Sequence, residues 1–370
     1  MEKDTNSTLI PKGRLLSVDF FRGLTMFLLI AEGTRLFSYM VDPALNSTVI
    51  NFIGTQLHHH PWNGLRFWDL VQPFFMFIVG VALPFSVAKR SERGDMYPQI
   101  LRHTILRSFL LLFFGWALYC IGPGRITFRF QNVLAQLSVT YIIAFLMMNR
   151  STWTQLIFTF GLLVFTELTY RLFPVDGFNQ PFVPDHNFGA YVDLLVSGEL
   201  SGGHWVSINA VPTTAHTMWG VLAGQVLRSN RREAQKIKIL FIAGLIGIVI
   251  GYALNPITPI IKRICTSSFV IVSGGWCLIA LVFFYWLVDM KKVHKIPKFF
   301  AIVGMNPLLI YLFSETGGAK WLNRIVDPFI SGFFGWVGEA PSKIITALVV
   351  WFLMWYICYF LYKRKIWIKI

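Results

Sequence analysis

FWDLVQPFFMFIVGVALPFSVAKR, residues 67–90, begins near one acid, Asp69, ends on two bases, Lys89 and Arg90, and has no charge over residues 70–88 between them. A helix rises about 1.5 Å per residue, so this run matches a hydrocarbon layer of about 30 Å. Similar runs recur along all 370 residues, of which 55% are hydrophobic and 14% charged, with a mean hydropathy of +0.58. A soluble globular chain carries about 25% charged residues. The deficit excludes an ordinary soluble enzyme and a disordered or collagen-like chain. The fold class read from it is all-α, a polytopic transmembrane helical bundle in a lipid bilayer, forming one domain over residues 1–370.

Working outward from that run, the hydropathy predicts about ten spans, near 15–37, 67–88, 101–121, 131–148, 153–173, 208–227, 237–255, 268–289, 298–315 and 343–362. The polar stretch MEKDTNSTLIPKGR precedes the first, which itself contains Asp19, Arg22 and Glu32, so it does not read as a cleavable signal peptide. Segment 320–338 is apolar but interrupted by Asp327, Pro328 and glycines, and reads as re-entrant or interfacial.

Lys and Arg total 33 against 18 Asp and Glu, a net charge of +15. In a soluble protein this would suggest nucleic acid. Here the bases follow the alternation of the loops. The connectors on the side of the N-terminus hold 22, among them Lys3, Lys12, Arg14, Arg90, Arg107, Arg228 and Lys369, whereas the other side holds ten. With an even span count, the positive-inside rule then places both termini in the cytoplasm. The expected location is a bacterial inner membrane, as a multi-pass protein with no nucleic-acid partner. A homodimer is expected from the general preference for two-fold assemblies. The four cysteines show no CxxC spacing, and a Cys120–Cys265 bridge is left open.

The two long connectors, 38–66 and 174–207, fall outside and are rich in polar and aromatic residues. The first contains Leu57-His58-His59-His60-Pro61-Trp62-Asn63-Gly64-Leu65. Adjacent histidines point in different directions and no other ligand set has metal spacing, so no metal is expected. A loop histidine is most often merely solvated, but Pro61 restricts its neighbour, Trp62 is an interfacial anchor and Asn63-Gly64 supplies a turn. Such a loop would hold an imidazole at the membrane face, able to take a proton near neutral pH. Ionisable groups inside spans cost about 2.5–3.5 kcal/mol or more, which makes each a site hypothesis. Asp19 and Arg22 lie one helical turn apart, the spacing of an ion pair that is either structural or functional. Asp69 either orients a histidine or caps the second span. Arg129-Phe130-Gln131-Asn132 and the stretch from Asn209 to His216 open two further spans, as ordinary helix starts also do. Gly304-Met305-Asn306-Pro307 breaks the ninth, and Asn306 is expected to face a cavity.

At these residues the chain resembles the heparan-alpha-glucosaminide N-acetyltransferase family of multispanning membrane acyltransferases. The matching stretches are Ser17-Val18-Asp19-Phe20-Phe21-Arg22-Gly23-Leu24, the His59 to Leu65 block continued by Asp69-Leu70-Val71-Gln72-Pro73-Phe74, Arg129 to Gln136, Thr214 to Gly224, and Gly304 to Pro307. The resemblance implies transfer of an acetyl group from acetyl-CoA to the amine of a glucosamine on the far side of the membrane, with the histidine three before Trp62, His59, in the catalytic role. Three departures stand out. Ala31-Glu32-Gly33 occupies the place of a usual asparagine, Gly203-His204-Trp205-Val206 replaces an acidic stretch, and the large outer domain of animal members has no counterpart.

The site expected from residues and resemblance together has His59 as base or acyl carrier, Asp69 or Glu32 orienting it, and Asn63 or Asn306 polarising the thioester carbonyl. Arg22, Arg129 and Arg107 are expected to meet the CoA phosphates. Glu32, Trp62, Asn209 and His216 complete the expected acceptor side, for an amino sugar or glycan. Two competing readings remain at this stage. A permease for a sugar or organic acid would use the same buried polar groups as a pathway, and a scaffold for polysaccharide assembly would not bind acetyl-CoA at all.

Overall fold

The computed structural model describes residues 15–46 and 48–368. The leading stretch with Lys3, Lys12 and Arg14, and Lys369 at the other end, lie outside the described residues. Long apolar segments fold into helices because the backbone polar groups of a segment in lipid must be satisfied within the segment itself. The helices are Leu16–Gly33 (α1), Leu36–Met40 (α2), Val49–Gln56 (α3), Val71–Glu92 (α4), Tyr97–Ile121 (α5), Val133–Met147 (α6), Thr152–Leu172 (α7), Phe188–Ser197 (α8), Ala210–Arg228 (α9), Glu233–Ala253 (α10), Ser267–Phe284 (α11), Lys295–Val303 (α12), Pro307–Phe313 (α13), Ala319–Phe334 (α14) and Glu339–Lys363 (α15). No strand occurs among the described residues. Side-chain oxygens close several helix starts: Asn132, Ser151 and Asn187 accept from the backbone N–H groups of Ala135 (3.0 Å), Thr154 (3.1 Å) and Ala190 (3.2 Å).

Among the described residues, five helical runs are long and apolar enough to cross a membrane, six if the bent pair Lys295–Val303 and Pro307–Val337 counts as one. The chain is therefore an all-helical integral membrane protein. Large apolar side chains project outward from α5 (Ile105, Phe109, Phe113) and α10 (Ile242, Ile246, Val249), where a water-facing protein would carry polar ones. Inside, α4 and α9 cross in backbone contact. A Cβ on Gly80 would lie 2.0 Å from the Thr217 carbonyl oxygen, and one on Gly220 2.1 Å from that of Phe77. Gly220 and Gly224 are spaced as the small-residue pair that lets membrane helices approach closely.

Two expectations are corrected here. The helix is not interrupted at Asp327 and Pro328, which both lie within α14. The chain turns instead at Gly317, whose φ of 99° ends a π-helical turn over Ser314–Gly318. Proline stiffens one φ and removes one donor, whereas a positive φ leaves the helical region altogether, so glycine sets the break. The four cysteines are all free thiols, so no Cys120–Cys265 bridge forms.

Candidate active site

The loop from His58 to Arg66 is fixed by its backbone. Gly64 N–H donates to the Ile260 carbonyl (2.8 Å), and Asn63 forms an isolated antiparallel bridge with Ile261, tying the loop to the connector between α10 and α11. Gly64 has φ of 150°, and a Cβ there would meet the His60 ring at 2.5 Å, so glycine is what lets His60 pack inward. The Trp62 indole donates to the Phe182 carbonyl (2.7 Å) and so fastens the loop to the second long connector.

Asp69 organises the site from below. It is fully buried, and its Oδ2 accepts from the backbone N–H groups of His60 (3.1 Å) and Arg66 (2.9 Å), while Oδ1 meets His59 Nδ1 at 3.0 Å. The expected pairing of Asp69 with a histidine thus forms, and the partner is His59. Lys262, 5% exposed, brings its ammonium to 3.1 Å from His59 Nδ1 and 3.9 Å from Asp69 Oδ1. Trp205 covers this group. Its ring stands edge-on to His59 at 5.1 Å, with Lys262 5.5 Å and Arg263 5.4 Å from its centroid. Glu32 accepts from the Trp68 indole and lies within electrostatic reach of Lys262.

Burial pushes the His59 imidazole down to about 4, and the Lys262 charge adds to this, against the opposing hydrogen bond and charge of Asp69. His59 is therefore neutral at physiological pH. Burial also lowers Lys262 to about 8, partly offset by Asp69 and Glu32. In the tautomer that donates Nδ1–H to Asp69, the lone pair of Nε2 is free on a side chain that keeps 28% of its surface exposed. That is the tautomer a proton acceptor or nucleophile needs.

Sequence reasoning did not place Lys262, Arg263 or Trp205 in the site. Lys262 and Arg263 lie in the connector between α10 and α11, about 200 residues from His59, and look like ordinary flanking charges in the sequence. Only the pairing of backbones at Gly64 and Ile260 brings them in, and no local pattern announces such a pairing. Trp205 stands in the stretch that departs from the family pattern.

At the opposite end of the bundle a cavity of about 560 Å³ opens among α1, α4, α5, α6 and α13. Arg22, Arg90, His103 and Arg107 line it together with apolar groups such as Met26, Phe75, Leu134 and Leu308, and Tyr311 is also in its wall. Arg22 pairs with Asp19 (3.0 Å), as the spacing predicts, and also donates to the Gly304 carbonyl (3.1 Å). Arg107 donates to the Tyr141 hydroxyl (3.2 Å) and lies over that ring. His59 does not line this cavity. Glu32 lies within electrostatic reach of both Tyr311 in the cavity wall and Lys262 beside the imidazole.

The other expected site residues lie elsewhere. Arg129 is not with Arg22 and Arg107: it pairs with Glu199 (3.0 Å) ahead of α6, whereas Arg107 meets Tyr141 two turns into that helix. The α5–α6 hairpin carries the two arginines to opposite ends. Asn306 is fully buried and does not face the cavity. Its amide donates to the Ile366 carbonyl (3.0 Å) and accepts from Ile368 N–H (2.8 Å), so it holds the tail whose Trp367 and Ile368 line the cavity. His216 is sealed between α9 and α11, bonded to Ser273 (2.8 Å). Asn209 donates to the Arg263 carbonyl (2.8 Å), a support for the loop holding Lys262. Asn63 is exposed, engaged through its backbone. No group of three or more His, Cys, Asp or Glu with metal-binding geometry exists among the described residues.

Comparison with known proteins agrees with the motif resemblance. A family model described as a domain of unknown function, DUF5009, matches residues 14–150. The chain is 25% identical to a mouse protein and 26% identical to a human protein, both named heparan-alpha-glucosaminide N-acetyltransferase, over 96% of its own length. It spans about 60% of the length of these relatives. The relationship to that family is distant, and it extends through almost the whole chain.

Proposed function

We propose that the protein is a membrane acetyltransferase that moves an acetyl group from acetyl-CoA to the amine of a glucosamine-type sugar. On this reading the ten helical runs near the predicted positions all cross the bilayer, with the arginine-lined end cytoplasmic and the His59 end on the outer face. The observation that carries the proposal is the buried Asp69–His59–Lys262 group at one end of a bundle whose other end opens as a basic-rimmed, apolar-walled cavity. The distant relatives act, by their names, on a glucosaminide.

The cavity suits acetyl-CoA as substrate. Guanidinium groups of Arg22 and Arg107, with Arg90, offer bidentate donors to phosphates at the mouth, and the apolar wall accepts an acyl-thioester arm. Its volume falls within the range of about 300–1,000 Å³ found for small-molecule sites. At the other end, Asp69 orients the imidazole through Nδ1, and burial together with the Lys262 charge keeps it unprotonated. The amine nitrogen attacks the thioester carbon, its proton passes to His59 Nε2, the carbon–sulfur bond breaks, and the leaving thiolate takes that proton as CoA thiol. Alternatively, His59 Nε2 attacks first and carries the acetyl group before the amine receives it.

Incubating purified protein with isotopically labelled acetyl-CoA and glucosamine tests this reading, by mass spectrometry of the sugar. Labelled N-acetylglucosamine is the expected product. The cavity that opens among the helices, with Arg22, Arg90 and Arg107 in its wall, also favours a permease as the second reading, for which sugar would enter sealed vesicles with no consumption of acetyl-CoA.

A further inference from the structure

In the acetyl transfer described above Lys262 serves only as a charge, yet it is also an amine. The connector between α10 and α11 winds into a tight turn at this residue. Cys265 N–H donates to the Lys262 carbonyl (3.0 Å), Thr266 N–H to the Ile261 carbonyl (3.1 Å), and Ile261 N–H to the Thr266 hydroxyl (3.0 Å). Cys265 closes the turn with φ of 47°, a left-handed conformation that a residue other than glycine keeps only where its surroundings impose it. Beside the start of α9, Asn209 braces the same turn through the Arg263 carbonyl (2.8 Å). The side chain of Lys262 therefore leaves a fixed backbone, and the residue is only 5% exposed.

The surroundings of Nζ are poor for an ammonium. A buried ammonium is ordinarily paired with a carboxylate and fills its three donors. Here the nearest carboxylate oxygen, Asp69 Oδ1, stands at 3.9 Å, beyond hydrogen-bonding distance. Both Asp69 oxygens are already engaged by His59 Nδ1 and two backbone N–H groups. Among the described residues, the one atom within hydrogen-bonding distance of Nζ is His59 Nδ1 (3.1 Å). The Trp205 ring covers both groups, and the other cation against that ring, Arg263, has the same sign as Lys262. Burial accordingly lowers Lys262 to about 8, against the opposing charges of Asp69 and Glu32. A share of the protein at neutral pH thus holds an unprotonated primary amine beside His59, and a desolvated amine of this kind is a nucleophile.

We propose that Lys262 is a site of self-acetylation: when no acceptor sugar occupies the site, Nζ takes the acetyl group that His59 activates or carries. The proposal rests on the acetyltransferase reading and adds to it a modification of the protein itself. The neutral amine attacks the thioester carbon and forms an N–C bond, its proton passes to His59, the carbon–sulfur bond breaks, and the thiolate leaves with that proton as CoA thiol. If His59 carries the acetyl group, the bond that breaks is the one to Nε2, and the imidazole keeps the proton. Nζ and Nε2 adjoin one imidazole ring, so an acyl carbon brought to Nε2 is within reach of a flexible four-carbon stem. The amide formed is stable and uncharged. It removes a cation from beside His59 and enlarges a side chain that is already enclosed, so the modified protein loses rate.

The test incubates purified wild-type protein with isotopically labelled acetyl-CoA and no sugar, and maps its peptides by mass spectrometry at intervals. Lys262 should acquire label at least about tenfold faster than the exposed Lys291 and Lys320, because it alone is held against the reacting carbon. Its labelling should rise as pH passes through about 8. Added glucosamine should suppress it by competing for the acetyl group, and His59→Ala should abolish the excess over the exposed lysines. The transfer rate measured on later addition of glucosamine should decline in step with the label in wild type and show no such decline in Lys262→Arg, which cannot form the amide. Should the arginine variant not fold, the peptide map of wild type decides by itself. Wild type that acetylates glucosamine while Lys262 stays unlabelled, or is labelled no faster than Lys291 and Lys320, would overturn the proposal. Label at Lys262 with no acetylated sugar would uphold it and remove glucosamine as the acceptor. Neither label nor acetylated sugar would remove the enzyme reading and the proposal with it.

Discussion

At the scale of single residues, the account turns on Asp69 gathering three donors around two oxygens and on Lys262 pressing a charge against the imidazole so gathered. His59 should therefore titrate near pH 4, not near 6.5. A protonated imidazole accepts no proton, so the rate is retained across neutral pH and lost as pH falls through about 4. Lys262→Met removes one of the causes that depress His59, and its midpoint should move upward in an NMR titration of ring-labelled protein. Asp69→Asn removes a cause that raises it, so the midpoint should move downward, and the loss of orientation should cut the rate by about 10²–10⁴-fold. An unchanged midpoint in Lys262→Met contradicts the contact. The chain's own chemistry made part of this legible: Asp69 and His59 stood ten residues apart in one motif. Lys262 did not, because its role depends on burial and on a backbone pairing with Gly64 that no nearby residue signals.

At the scale of elements, the glycines decide what can approach what. The α4–α9 crossing has backbone carbonyls where a side chain would begin, so Gly220→Val must push the helices apart. Overpacking of this kind costs about 1–3 kcal/mol or more, and the variant should show a clearly lower melting temperature in detergent with no change in the His59 titration of the folded fraction. Gly64→Ala acts locally: a Cβ would strike the His60 ring, and acetyl transfer should fall while the melting temperature changes little. The helices themselves were visible in the hydropathy because each long apolar run must satisfy its backbone internally. The break at Gly317 was misplaced at Pro328, since proline is the louder signal in a sequence while a positive φ is visible only in the backbone. Asn306 was misread for a related reason. A helix break frees polar groups that demand partners, and here the returning C-terminal tail supplies them, not a cavity.

For the whole molecule, the arginine-lined cavity and the His59 group lie at opposite ends of one bundle. Arg22 and Arg107 line the cavity proposed for acetyl-CoA, so Arg107→Gln should weaken acetyl-CoA binding with little effect on glucosamine binding, as read by calorimetry. Arg129→Gln should leave acetyl-CoA binding as it is, because the α5–α6 hairpin places Arg129 with Glu199 at the other end. Sequence grouped all three arginines by residue type, and only the fold sorts them. The separation of ends also bears on topology, for which a fusion reporter after residue 368 should register on the same side as the cavity mouth.

The central claim is that the His59 imidazole, held by Asp69 and kept neutral by its burial and by Lys262, carries out acetyl transfer. The most direct measurement is the rate of labelled acetyl incorporation into glucosamine by purified wild-type and His59→Ala protein, both folded and both able to bind acetyl-CoA. The account predicts product from wild type and a rate at least about 10²-fold lower from the variant. Equal rates from the two proteins would contradict it.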